Sequence, residues 1–338
     1  MREQRVASAP WTLATEQLRV RLAAFLGCAP DEVLQARDEA ARDWPAYVRR
    51  LFDDAGIEGM LLDGGPEPLG PSALDGYATV AGRPMWSLLR IEAVIDPMLA
   101  DGADGAAIED ALSAAVSEAA AQGVAGLKTV LAYRTGLAVD PTVSRHDAYR
   151  DLDASLPVRR QGKALRDYLF RRTLAQCADL LLPIQIHTGF GDDELRLAEA
   201  DPILLDDVLR TPEGSAAKVV LIHGSFPWHE KLAYLTLVRR NVFAEYSLAN
   251  LFSPATTAER ILQLLDLAPA DRILFGTDGH GAPESHWFAA TVLFSAWEDV
   301  RRALAGSVRA EWIGDVQRAV FGGNARRIYR LTGANLPR

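Results

Sequence analysis

Two histidines and an aspartate close three separate apolar runs, and their types suit them to chemistry. PIQIH ends in His187, VVLIH ends in His223, and ILFGTD ends in Asp278. Neutral imidazole and carboxylate are common ligands of Zn²⁺ and similar ions. An ion with one open position turns bound water into hydroxide near neutral pH, and a neighbouring carboxylate can carry the proton away. A lone histidine after an apolar run is more often a satisfied structural residue. Two of them, with an aspartate in the same place relative to its own run, point to a divalent-metal site made of His187, His223 and Asp278.

Other residues border these three. Lys128 is the one lysine in VAGLKTVL, a run otherwise apolar or hydroxylic. A buried lysine is costly in any role, so a carboxylated metal bridge, a substrate-binding cation and an internal ion-pair partner all stay open. Tyr133 and Arg134 follow that run. Arg134 suits a substrate carboxylate through bidentate bonding, with an ordinary salt bridge as the alternative. His280 and Glu284 lie in DGHGAPES, a loop placed for substrate contacts, although Glu284 could equally cap the helix beginning at Ser285. His146, His229 and His286 occupy loop or helix positions and read as structural.

Residues so far apart in the chain can meet only if the elements bring them to one place. Strand candidates begin near Ile57, Leu89, Val124, Pro183, Lys218, Val242 and Arg272, at spacings of 32, 35, 59, 35, 24 and 30 residues. Such apolar runs belong to parallel sheets buried on both faces, and each spacing leaves room for a crossover helix. Helical patterns cover Ile108–Gln122, Gly162–Leu182, Glu194–Leu209, His229–Arg239 and Thr256–Leu267, with Ser285–Leu304 and Arg309–Leu331 after the last strand. The long gap before Pro183 carries an Asp-, Arg- and Pro-rich loop over Asp140–Arg160. Unbroken alternation with no linker predicts one α/β domain over residues 1–338, a (β/α)8 barrel whose active site lies at the carboxyl ends of its strands. Seven strands are visible where eight are needed. Residues 12–55 read as helices (Thr15–Leu26, then Glu32–Asp54) packed on the barrel, so the expectation is that the first strand is missing and would precede Met1; an open seven-stranded sheet is the alternative.

Composition narrows the function. The chain has 338 residues, a net charge of −9, 49% hydrophobic and 24% charged residues, which suits a large folded domain. The acidic balance argues against nucleic-acid and anionic-membrane partners, and Arg171-Arg172 and Arg326-Arg327 read as solvated helix faces. No apolar run reaches the ~18 residues of a membrane span, and MREQRVASAPWTLATEQL lacks a signal-peptide core. Cys28 and Cys177 read as reduced thiols, so the expected location is the cytoplasm. No GxGxxG, P-loop, HExxH or GxSxG motif competes. Leu18, Leu22 and Phe25 form an apolar stripe that could serve a homo-oligomer, though such stripes more commonly face the core.

LPIQIHTGFGD, VVLIHGSFPWHEKLAYL, NVFAEYSLA, ILFGTDGHGAPE and FGGNARRIYRL together resemble the amidohydrolase-related family of metal-dependent barrels, in the branch also found fused to glutamine-synthetase-like domains. VAGLKTVLAYRTGL and RRLFDDAGIEGMLLDGG fit the same branch, and the resemblance runs from about Leu13 to Leu331. It implies that His187 ligates metal, that His223 ligates metal or polarises the substrate, and that Asp278 ligates metal and acts as base. It also brings Lys128 near the position of a lysine that some relatives carboxylate. One departure matters: the family's first strand ends in a His-x-His pair, and this sequence contains none. The missing pair and the missing strand have one expected cause, a chain that lacks its true beginning.

The expected function is thus hydrolysis of a C–N bond in a small polar substrate through metal-activated water, with Zn²⁺ as the ion and Mn²⁺ as the alternative. Arg134, Tyr133, His280 and Glu284 are expected at the substrate. The resemblance hints at γ-glutamyl amides or related amino-acid derivatives. The rivals are a metal-dependent decarboxylase and a truncated, non-catalytic barrel.

Overall fold

The computed structural model describes residues 9–152 and 155–331, so the expected domain of residues 1–338 runs past them at both ends, and residues 153–154 of the expected loop lie outside them. Helices of eight or more residues are numbered. The first, α1 (Leu13–Leu26), is opened by the Thr12 side chain, which accepts from the Thr15 amide, and closed by Gly27 at φ 74°. The single helix expected over Glu32–Asp54 is two, α2 (Val33–Ala40) and α3 (Trp44–Asp54). Asp43 accepts from the Ala46 amide and Pro45 sits in the new first turn, which stops one helix and starts the next. Leu22 is buried and Phe25 packs 5.3 Å from the Trp287 ring. The apolar stripe of α1 therefore faces its own core.

Seven strands follow: β1 (Met60–Asp63), β2 (Met85–Arg90), β3 (Gly126–Thr129), β4 (Pro183–His187), β5 (Lys218–Ile222), β6 (Val242–Tyr246) and β7 (Ile273–Phe275). They pair in chain order and every pair is parallel. Between them run α4 (Pro71–Ala81), α5 (Glu92–Ala100), α6 (Gly105–Ala121), α7 (Lys163–Leu180), α8 (His229–Val238) and α9 (Thr257–Leu267), and after β7 come α10 (Pro283–Leu304) and α11 (Ala310–Arg318). The result is the curled sheet of a β/α barrel, open between β1 and β7, with no eighth strand among the described residues.

Three element expectations are corrected. The strand read from Leu89 lies earlier, in β2, and IEAVI begins α5. Ile91, Ile95 and Leu99 recur every four residues on its buried side, and a short apolar run does not by itself separate strand from helix. The helix read over Glu194–Leu209 is a chain of short turns ending in Asp206–Leu209, broken by Pro202. The helix read over Arg309–Leu331 breaks after α11 in a wider turn at Ala319–Gly323 and resumes at Asn324–Ile328.

Side chains alternate across each strand, and that period builds two cores. Leu89, Leu127, Ile184, Ile186, Val219, Leu221, Val242, Ala244 and Ile273 point outward into the helix layer. Leu88, Val220, Ile222, Phe243 and Leu274 point inward and meet Ile328 and Tyr329 from the carboxyl-terminal segment. Tyr329 lies toward the amino ends of the strands, beside Ala125 and Pro183, and its hydroxyl accepts from Gln185 Nε2 at 2.8 Å. The same alternation makes Asp63, Arg90, Lys128, His187 and Glu245 the last inward-facing residues of β1, β2, β3, β4 and β6.

Candidate active site

These last inward positions, with the loops beyond them, line a cavity of about 1980 Å³. The His187 and His223 rings meet edge to face, 4.5 Å between centroids, and His223 Nδ1 lies 3.8 Å from Asp278 Oδ2. His223 and Asp278 both hold positive φ, 72° and 47°, the left-handed region in which a non-glycine side chain signals local strain. Burial holds both imidazoles well below their ordinary pKa, with His223 and Lys128 adding to it at His187, and Lys128 at His223. Both are therefore neutral, with lone pairs to offer. Burial raises the Asp278 carboxyl, against the pull of Lys128 and His187.

His187 Nε2 is buried without a hydrogen-bond partner. Tyr133 packs edge-on against the same ring at 4.7 Å, and its hydroxyl accepts from the Asp192 amide at 3.0 Å. Gly191 lets this happen: a Cβ there would stand 1.8 Å from the tyrosine oxygen and 3.2 Å from His187 Nε2. An orphaned, neutral imidazole nitrogen is what a divalent cation takes as ligand. The donor chemistry of His187, His223 and Asp278 thus fits such an ion. Their arrangement does not complete its shell, since among the described residues no group of three or more His, Cys, Asp or Glu is placed to hold a metal.

Lys128 is an ion-pair partner. Its Nζ lies 3.1 Å from Asp63 Oδ2, and the same carboxylate takes Arg90 side-on, through Nε at 3.1 and 3.2 Å and through an Nη. Arg134 lines the cavity, but its Nε is committed to Asp96 at 2.8 Å, and Asp96 also takes Arg166 at 2.7 Å. Of the two roles left open for Arg134, the structure forms the salt bridge. His280 is exposed on the cavity rim, its Nδ1 3.4 Å from the Asp278 carbonyl.

Glu284 does not reach the cavity. It is buried in the first turn of α10, accepting from Arg37 Nε at 2.6 Å and from the Tyr47 hydroxyl at 2.9 Å, and so ties α2 and α3 to α10. Glu284→Ala strands both donors and is expected to cost about 1–3 kcal/mol in urea unfolding, with KM unchanged. A raised KM with unchanged stability would return Glu284 to the substrate.

The sequence reading passed over four residues of this site. Asp63 and Arg90 are signalled only by strand parity. Glu245 is half-buried in the cavity wall and pushed up to about 7 by burial, and it bonds to Ser247, whose hydroxyl meets His223. His286, read as structural, also lines the cavity; it bonds Thr277 Oγ1 at 2.8 Å and burial lowers it to about 4.

Comparison with known proteins gives this arrangement its class. The amidohydrolase family model matches residues 76–331, and the chain belongs to that family, whose fold is that of metal-dependent enzymes. Protein fluG of Emericella nidulans is 30% identical over 334 residues, 87% of this chain, and the chain spans 38% of that protein's length. A presumed metal-dependent hydrolase from Lactobacillus casei superposes with a TM-score of 0.84 at 26% identity, over 94% of this chain and 84% of that one. Uronate isomerase from Thermotoga maritima shares the fold alone, with a TM-score of 0.70 at 12% identity over 95% and 80% of the two chains.

Proposed function

We propose that the protein is a metal-dependent hydrolase cleaving the C–N bond of a small polar, amide-type substrate. The observation that carries this reading is the convergence of His187, with its orphaned buried Nε2, on His223 and Asp278 at the carboxyl ends of a parallel sheet. The proposed ion is Zn²⁺, with Mn²⁺ as the alternative. His187, His223 and Asp278 would be its ligands from this chain, although their arrangement does not complete its shell, and when bound it would supply water acidified toward neutrality.

Asp278 takes the proton of the attacking water and returns it to the leaving nitrogen. Burial, which raises its carboxyl, brings it closer to the neutral range in which such a group serves both as acceptor and as donor. Tyr133 walls the reacting centre, and His280 at the rim meets the substrate. Asp63 holds Lys128 and Arg90 in place on the neighbouring strands β3 and β2. No helix among the described residues is long and apolar enough to cross a membrane.

The test is to purify the protein from medium supplemented with Zn²⁺ or Mn²⁺, measure bound metal by mass spectrometry, and incubate it with small amides and aryl carboxylates. Bound metal together with free amine is the expected outcome. Release of CO₂ without amine would move the reaction to decarboxylation. Absence of both metal and turnover would make this chain a binding protein.

A further inference from the structure

Below His223 lies a polar chain that the proposed reaction does not use. Ser247 Oγ lies 2.9 Å from His223 Nδ1 and donates to Glu245 Oε2 at 2.9 Å. The same oxygen, Oε2, accepts the backbone amide of His223 at 3.1 Å. Two of the three are buried, His223 and Ser247 each 2% exposed; Glu245 is half-buried, and its Oε1 points at Gly276, where a Cβ would stand 2.1 Å from it.

We infer that Ser247 and Glu245 form a positioning relay that fixes which ring nitrogen of His223 carries its hydrogen. A hydroxyl has one hydrogen. Ser247 spends it on Glu245 and can only accept at its other side, so His223 must donate through Nδ1–H. A neutral imidazole has a single N–H, which leaves Nε2 as a bare lone pair. Asp278 Oδ2, at 3.8 Å from Nδ1, is beyond hydrogen-bond reach and does not take over the task. Both bonds fall on Oε2, so the relay needs an acceptor at that atom and not a charge. The space left by Gly276 seats the other oxygen.

The inference rests on the proposed function only for its catalytic consequence. Of the two roles open to His223, ligand or hydrogen-bond polariser of a carbonyl, the relay allows only the first type. A nitrogen with a lone pair accepts a proton or binds a cation, and cannot donate to a carbonyl oxygen.

The experiment is long-range ¹⁵N–¹H NMR on the whole protein with ¹⁵N-labelled histidine at neutral pH, the His223 signals being assigned by their loss in His223→Gln. In the wild type, His223 is expected as the Nδ1–H tautomer. Ser247→Ala is expected to convert most of it to Nε2–H and to lower activity about 10–100-fold, as loss of such supporting bonds does. Glu245→Gln, which keeps an acceptor for Ser247, is expected to retain the Nδ1–H pattern. An Nε2–H tautomer in the wild type overturns the inference, whether or not any variant folds. So does a folded Ser247→Ala protein with the wild-type pattern. The spectra require no substrate, so failure of the hydrolase reading does not touch them.

Discussion

Asp278→Asn is expected to lower kcat about 10²–10⁴-fold, the range in which a positioned acid–base group contributes, while KM changes little. Asparagine is the informative replacement because of the backbone. Asp278 sits at φ 47°, where asparagine and aspartate are the side chains best tolerated after glycine, so Asn removes the proton acceptor without adding strain. Alanine would confound the two. Stability should move the other way. Folding raises the Asp278 pKa by burial, so its favourable contribution is present at pH below the unfolded value and lost as pH rises through the folded one. At pH 8 the wild type carries that loss and the variant does not. Steady-state kinetics paired with urea unfolding at pH 8 checks both halves. A variant that keeps full kcat would remove Asp278 from the chemistry.

Asp63→Asn is expected to destabilise the fold by about 3–5 kcal/mol, the range for removing one member of a buried ionic group. Asp63 answers two cations, Lys128 and Arg90, and its side chain is only 12% exposed. Asparagine occupies the same volume and cannot balance either charge. Burial alone would raise the Asp63 pKa, but Lys128 and then Arg90 outweigh it and the net shift is downward. A depressed carboxylate stabilises the fold above its unfolded pKa, near 4, and the contribution disappears as pH falls through the folded value. The difference between wild type and variant should therefore be full at pH 7 and shrink below about pH 4. A difference under about 0.5 kcal/mol at pH 7 would mean that solvent screens these charges as it does on an open surface.

Both positions show what could be read from the sequence and what could not. His187, His223 and Asp278 were legible because each interrupts an apolar run where a barrel strand ends. Arg134 was ambiguous because its partner, Asp96, lies 38 residues away, just past a run read as strand, in what is helix α5. That misplacement hid the acidic face opposite Arg134. Glu284 was misjudged because its partners, Arg37 and Tyr47, are more than 200 residues upstream, and no local pattern announces a contact at that range. Asp63 and Glu245 could have been found. Counting by twos from Leu61, and from Phe243, puts each on the face that holds the site, but a carboxylate inside an apolar strand attracts less notice than a histidine at its end. The parallel sheet was legible from spacing, and its pairing in chain order followed from preferring a barrel to the doubly wound sheet that the same alternation allows.

The inward core of the sheet is filled from below by Ile328 and Tyr329, among the last residues described. Val220, Phe243 and Leu274 gain those neighbours only when residues 328–329 have left the ribosome. Until then the inward faces of those strands lack that cover at their base. Maturation of the upper rim is in this way tied to the arrival of a segment made after the last strand.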